Sequence, residues 1–505
     1  MRVLIFHGYL LRGTGSNVYN ASLAAALVRL GHEVHLFCQD RRAEELDFVD
    51  GERCAVYRPD IHGLLPVYVA DRYDGFEAMP FPELSEEQLE RYLEANVAAV
   101  RELAARVEPE VALANHLVMG PVILARGLEG AVPYAVKIHG SALEYVVRPH
   151  RERFLPYALE GLRGASGVLV GSRHTAESLW EVTGERGLPE RTRLGPPGVD
   201  VHSFRPRPPD EAAAGLDELA RRLEDAPAEW GGEASAPEAL RELDPRRDRL
   251  VAYVGKLIVS KGVDLLLAAW PLVLARVPDA RLVVVGFGEY GDALRRLVSA
   301  LSDGDLAMAR DIAARGRELE GGPAGELRYL AAFLDGLEGE RREAYLASAS
   351  GLDHRVHFTG RLEHEQLPGL LSACEALVMP STFPEAFGMV AAEAAACGAL
   401  PVSAAHSGMA EVTATLAPAV EEDIRPLLSF ELGPGMVEDI GSRLVAWLEA
   451  EPGRRECART SLARLARERY GWEGVAEGVV KAALGRLGEL PEVPSPAPPS
   501  GPASG

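Results

Sequence analysis

At 505 residues, 47% of them hydrophobic and 25% charged, the chain exceeds the roughly 100–200 residues of one ordinary domain and is too apolar for a disordered or fibrous protein. A formal net charge of −22 argues against general binding to nucleic acid or to an anionic membrane surface, since both need clustered positive charge. Five scattered cysteines (Cys38, Cys54, Cys374, Cys397, Cys457) without a C-x-x-C pair point away from a disulfide framework or a zinc site and towards reduced thiols in a cytoplasmic protein.

The opening run Arg2 to His7 is β-rich, too short for a signal peptide, and suited to a buried first strand. A long loop to Gly15 comes next, then an Ala/Leu helix that stops near Leu30-Gly31, then a strand over Glu33 to Cys38. The same order recurs at Val111 to Ala114, Tyr134 to Ile138 and Gly167 to Val170, so residues 1–199 are expected to form one doubly wound domain around a parallel sheet. Pro196-Pro197-Gly198 and the run Arg205 to Pro209 interrupt the pattern, as a connection between domains should. An acidic, Ala-rich stretch near 208–247 reads as a helical or partly ordered insertion.

A second alternating series, Leu250 to Val254, Arg281 to Val285, Val356 to Thr359, Ala376 to Met379 and Leu400 to Ser403, predicts another doubly wound domain over 200–470. The stretch near 300–350 is too long for a plain crossover, and its Ala/Leu/Arg/Glu content predicts extra helices. A last amphipathic helix is expected over Tyr470 to Leu487, with a disordered Pro/Ser/Gly tail over 489–505. No segment approaches the roughly 20 apolar residues of a membrane span, so no integral membrane association is expected. The fold class is α/β.

Only four lysines occur (Lys137, Lys256, Lys261, Lys481), so arginine is the default cation here. Two of the four lie five residues apart in Gly255-Lys256-Leu257-Ile258-Val259-Ser260-Lys261-Gly262, where a strand passes into a helix. Ligands of α/β sheets bind at that edge, and two ammonium groups beside a helix N-terminus suit a diphosphate. The alternative is a pair of solvated surface lysines.

Pro384 suits a helix start ahead of Glu385 and Glu393, and Gly398 suits its stop. Eight helical residues turn by about 800° and rise about 12 Å, so on one helix these carboxylates form no close pair. A glycosidase sets its two about 5–9.5 Å apart across one bond, whereas these two suit the ends of an extended ligand. A nucleotide sugar has that shape, and a helix N-terminus between the carboxylates suits its diphosphate; a capping Glu and a solvated Glu are the plainer alternative.

Gly286-Phe287-Gly288-Glu289 ends the strand Arg281 to Val285, where two glycines permit close backbone approach to a ligand. Gly13-Thr14-Gly15-Ser16-Asn17-Val18 imitates a dinucleotide fingerprint, but Val18 stands at the third glycine position and the preceding loop is too long. A glycine loop that closes over a phosphate or an acceptor fits better. His139 follows the strand Tyr134 to Ile138; it either bonds a sugar hydroxyl or is a satisfied structural histidine. Asn115-His116 holds the equivalent place after Val111 to Ala114 and is assigned to the acceptor cleft.

Together these residues resemble the family 4 (group 1) retaining glycosyltransferases of the GT-B fold, over roughly Met1 to Leu487 apart from the two insertions. The stretch Glu385 to Glu393 is similar to the family's E-x-x-x-x-x-x-x-E motif, supported by Pro197-Gly198-Val199-Asp200 with Phe204, the G-x-G-E turn, and Tyr470-Gly471-Trp472. The resemblance implies two Rossmann-like domains facing across a cleft, with the helix at 471–488 packing back on the N-terminal one.

It implies further that Glu385 contacts the donor hexose, Glu393 the ribose, and Lys256 and Lys261 the diphosphate. His139 would lie near the reacting carbon. Phe387, Gly388 and Met389 would offer backbone contacts, with Arg361, Gly286 and Gly288 in the donor set and Gly13 and Gly15 on the closing loop. Asn17, Asn115, His116 and Tyr145 are assigned to the acceptor.

Lys256 departs from the family's usual arginine, keeping the charge but losing the bidentate fork. The implied reaction is hexosyl transfer with retention from a nucleotide-diphosphate sugar to a small-molecule or glycan hydroxyl, without metal or other cofactor. UDP-sugars are favoured by family frequency, with GDP-mannose next. A nucleotide-sugar epimerase and a non-catalytic nucleotide-sugar sensor are the competing readings, and the oligomeric state is left open.

Overall fold

The computed structural model describes residues 1–12, 15–68, 76–225 and 231–494. Gly13 lies outside them, as do Thr14 and residues 495–505 of the expected tail. Contacts divide the chain into one unit of Met1–Gly198 with the chain from Tyr470 onward, and a second of Val199–Arg469.

In the first unit the strands are β1 (Arg2–Phe6), β2 (Glu33–Phe37), β3 (Cys54–Tyr57), β4 (Leu64–Val67), β5 (Glu77–Pro80), β6 (Val111–Asn115), β7 (Tyr134–Ile138), β8 (Gly167–Val170) and β9 (Thr192–Leu194). Seven form one parallel sheet in the order β3-β2-β1-β6-β7-β8-β9, while β4 and β5 pair separately. Strand order reverses between β1 and β6, so their carboxyl ends frame the crevice where such sheets bind ligands.

Period-two alternation sends Leu4, Phe6, Val136 and Val168 into one core and Val3, Ile5, Ala135 and Leu169 into the other. The second core is closed by the helix Trp472–Ala483, whose Trp472, Ala476 and Val479 are buried in it. Gly198 is held against this helix: a Cβ there would stand 2.4 Å from the Trp472 ring.

The second unit carries β10 (Arg249–Val254), β11 (Ala280–Val285), β12 (Val356–Gly360), β13 (Ala376–Met379), β14 (Leu400–Ala404) and β15 (Ser429–Phe430), all parallel in the order β12-β11-β10-β13-β14-β15. Its switch point falls between β10 and β13. The helix Val263–Leu274 behind β10 is apolar nearly all round and accordingly buried, Trp270 at 0% exposure.

The first insertion contributes helices Pro209–Asp225 and Ala236–Arg241 and a bridge from Gly232 to Gly360 that extends the edge at β12. The second insertion is helical at Leu306–Arg315, Arg328–Asp335 and Gly339–Ala349.

Two expectations are corrected. The tail is not loose from 489: Leu194 N–H donates to Pro491 O (2.9 Å) and Glu492 bridges Arg193, because β9 offers a free sheet edge. The helix expected from Pro384 begins at Met389 and runs to Ala396, so Glu385 lies on a loop rather than on the helix with Glu393. Among the described residues no helix is long and apolar enough to cross a membrane.

Candidate functional site

At the carboxyl edge of the second sheet, the loops after β10 and β11 lie directly on one another. Gly255 N–H donates to Val285 O (3.0 Å), Leu257 N–H to Phe287 O (2.8 Å) and Tyr290 N–H to Leu257 O (3.1 Å). The glycines make this possible: at φ +152 a Cβ on Gly286 would stand 1.8 Å from Gly255 O, and at φ +153 one on Gly288 would stand 2.3 Å from Leu257 O. The G-x-G pair thus serves loop-on-loop packing, and both glycines also lie in the lining of a pocket. The two loops line a pocket of 580 Å³ with Lys256, Phe287 and Glu289 in its wall. Arg361, just after β12, lies with its guanidinium 6.0 Å over the Phe287 ring and 2.8 Å from Glu363.

Lys261 is not in the lining of that pocket. It ends the short turn Val259–Lys261 and points to the segment after β13, where its ammonium is ion-paired with Glu385 Oε1. The Ser381 hydroxyl donates to the same oxygen at 3.0 Å. Close approach of the two segments requires Gly262 (φ +66), where a Cβ would stand 2.1 Å from Pro380 O. The Glu385 loop is clamped by its backbone: its N–H donates to Ser407 Oγ (2.9 Å) and its carbonyl accepts from Gly408 N–H (3.0 Å). Two residues assigned separate roles from sequence are therefore one ion pair.

Phe387 and Gly388 lead into the helix at Met389, whose N-terminus carries no side-chain cap and so presents first-turn N–H groups to an anion. Glu393 lies inside this helix, 2% exposed, and accepts a 2.8 Å hydrogen bond from His364 Nε2. Burial alone would lower the His364 pKa, but the hydrogen bond and charge of Glu393 outweigh it and raise it. The free end of Glu393 is thus tied to the His364 ring.

In the first unit, the crevice between β1 and β6 holds a directional relay that runs from the half-buried His139 through buried side chains. His139 Nε2–H donates to Asn115 Oδ1 (2.8 Å), Asn115 Nδ2 to Asn20 Oδ1 (2.7 Å), and Asn20 Nδ2 to His7 Nδ1 (3.0 Å). His7 Nε2–H donates to Asn17 Oδ1 (2.9 Å), and Asn17 Nδ2 to Arg12 O (2.7 Å), beside the glycine loop. Each amide can run in only one sense here, which fixes His139 as the Nε2–H tautomer and leaves Nδ1 as an acceptor. Burial, with His116, Lys137 and His7 nearby, keeps the His139 pKa well below its usual value, so the ring is neutral.

Asn17 and Asn115, assigned from sequence to the acceptor, are both hydrogen-bonded within this relay. His116 packs its ring 4.7 Å from His139, and neither of its nitrogens has a hydrogen-bond partner among the described residues. Tyr145, 58% exposed, takes no part in the relay. Asn20 and His7 carry no motif, and sequence reasoning missed them, as it missed Ser381 and His364; only their partners mark them.

Lys137 lies beneath the relay, 2% exposed, with Nζ donating to Gly195 O and standing 5.4 Å over the Tyr19 ring. Burial lowers its pKa to about 7. Between that value and the ordinary value of about 10.4 the unfolded chain binds the extra proton, so stability contributed by this group rises with pH across the window. Lys137→Met should flatten the rise of the melting temperature between about pH 7 and pH 10, measured as a difference between the two proteins. Parallel curves would contradict it.

Residues 13–203 match the sequence profile of Glycosyltransferase Family 4, and residues 248–311 and 327–417 match two profiles of Glycosyl transferases group 1. The chain belongs to the family 4, group 1 glycosyltransferases. The matches span His139, both lysines of the second unit and the Glu385 to Glu393 stretch, and leave residues 204–247 and 312–326 between them.

A D-inositol 3-phosphate glycosyltransferase of Frankia alni is 26% identical to this glycosyltransferase over 479 residues, 93% of each chain. Sucrose-phosphate synthase from Thermosynechococcus elongatus superposes with a TM-score of 0.55 at 19% identity, over 97% of this chain and 99% of that one. Anabaena HepE in complex with UDP-glucose does so with 0.54 at 17%, over 97% and 100%. The fold of this glycosyltransferase is GT-B.

Proposed function

We propose that this glycosyltransferase is a retaining hexosyltransferase that moves a hexose from a UDP-sugar to a hydroxyl of a soluble small molecule, in the cytoplasm and without a metal or other cofactor. The observation that carries the donor half is the Lys261–Glu385 pair beside an uncapped helix N-terminus, with Lys256 on the pocket at the adjoining loops. Lys261, Lys256 and the helix N–H groups meet the charge that grows on the leaving diphosphate, commonly the largest single catalytic contribution. Glu385 then orients the hexose hydroxyls, and Glu393 the ribose.

Retention results if the departing phosphate oxygen takes the acceptor proton on the same face of the sugar. His139, offering Nδ1 as an acceptor, would receive a hydrogen bond from a sugar hydroxyl. The UDP preference is supported by the UDP-glucose bound in Anabaena HepE. The name of the Frankia alni relative makes a phosphorylated polyol the first acceptor class to test. Buried free thiols at Cys38, Cys54, Cys374 and Cys397 suit a reducing compartment.

The test is calorimetric titration with UDP, GDP and ADP, then NMR of the product anomer. Tight binding of UDP alone and a product with the donor's anomeric configuration are expected. Preferential GDP binding overturns the donor choice, and an inverted product overturns the mechanism.

A further inference from the structure

The turn that carries Lys261 is three residues long, Val259–Lys261, and it is held from two sides. On one side Ser260 O accepts from Thr382 N–H (2.9 Å), in the segment that leads to Glu385. On the other, Val259 N–H donates at 2.7 Å to Glu320 Oε2.

Glu320 comes from neither loop of the sheet edge. It ends the short helix Arg317–Glu320 inside the second insertion, in the stretch that falls between the two group 1 matches at 248–311 and 327–417. Its side chain is 11% exposed, and Arg317 Nε holds its other oxygen at 3.2 Å. A carboxylate so covered is costly unless it is bonded, and both of its oxygens are.

We propose that Glu320 is a positioning residue: through the Val259 N–H it fixes the turn so that the Lys261 ammonium stays on Glu385, where the leaving diphosphate is received. The assignment rests on the donor reading of Lys261. A lysine side chain is a flexible stem with a point charge, so its backbone must be fixed if its ammonium is to be pre-set. Within the turn only Lys261 N–H to Ile258 O and Gly262 N–H to Val259 O, both 3.0 Å, bind it to itself. Removal of the carboxylate takes away this anchor on the insertion side and strands the Val259 N–H.

The test compares Glu320→Ala and Glu320→Gln, each alone and with Lys261→Ala, by turnover of nucleotide sugar and by amide hydrogen exchange over residues 256–262. Glu320→Ala should lower kcat by about tenfold or more, as misplacement of a catalytic group does, and weaken nucleotide binding in the same direction as loss of Lys261. Glu320→Gln, which keeps an acceptor oxygen, should restore most of the rate. In the Lys261→Ala background the Glu320→Ala loss should vanish, since two residues acting through one another are not additive. Exchange over 256–262 should quicken in Glu320→Ala and not in Glu320→Gln.

An equal loss in both backgrounds, or unchanged exchange in Glu320→Ala, overturns the proposal. A wild type that turns over no nucleotide sugar instead removes the donor reading, and the exchange comparison still decides whether Glu320 holds the turn.

Discussion

Lys261→Ala is expected to lower turnover by about 10²–10³-fold, the range seen when one preorganised donor to a developing oxyanion is removed. The geometry gives the lysine two tasks. At rest it neutralises Glu385, whose Oε1 it shares with Ser381; in the reaction it would turn the same charge on the leaving diphosphate. Without it, Glu385 keeps its Ser381 bond and its backbone clamp, so the loop stays in place while an unpaired carboxylate now repels the phosphate. Nucleotide affinity should therefore fall together with kcat, and both are read from one titration and one rate measurement. Wild-type turnover in Lys261→Ala would remove the lysine from the mechanism.

Gly286→Ala should destabilise the second unit by about 3–5 kcal/mol, the range reserved for strained backbone or an overfilled core. The new methyl would stand 1.8 Å from Gly255 O and 3.0 Å from Gly255 C at a φ of +152, and both clashing atoms are backbone, which cannot swing aside as the end of a side chain can. The loops after β10 and β11 would have to separate, breaking the Gly255 and Leu257 hydrogen bonds and opening the pocket that Lys256 lines. Scanning calorimetry should show the melting temperature of that unit down by about 10 °C, with Gly433→Ala, where a Cβ meets nothing within 4 Å, almost unchanged. Equal melting of the two variants would mean that the loops adjust freely.

Much of this fold was legible in the sequence because its strands are buried on both faces and read as short unbroken apolar runs; β7, β8 and β13 begin and end at the expected residues. Five strands were not legible: Cys54–Tyr57, Leu64–Val67, Glu77–Pro80, Thr192–Leu194 and Ser429–Phe430 are short and owe their conformation to the neighbour they pair with. Pro384 misled for a related reason. A proline opens a helix only where the next stretch of backbone is free to coil, and here Ser407 and Gly408 take up the N–H and carbonyl of Glu385.

For the site, the rarity of lysine and the spacing of two glutamates marked the right loops. What they could not convey was partnership: that Lys261 bonds Glu385, that Glu393 is answered by His364, and that His139 is oriented through Asn115 and Asn20. Such bonds join residues 24 to 124 positions apart, and no local pattern encodes them.

The helix Trp472–Ala483 fills one face of the sheet that begins with Arg2, which has a consequence for how the protein is made. A ribosome delivers the strands of the first unit early, yet the layer that covers Val111, Ala135 and Leu169 on β6, β7 and β8 emerges only after all of Val199–Arg469 has been synthesised. The second unit is the one able to complete itself first, against the usual order in which the N-terminal domain folds ahead of its successor. Until the last helix arrives, the nascent chain carries an open apolar sheet face, and it is this interval that a chaperone would have to cover.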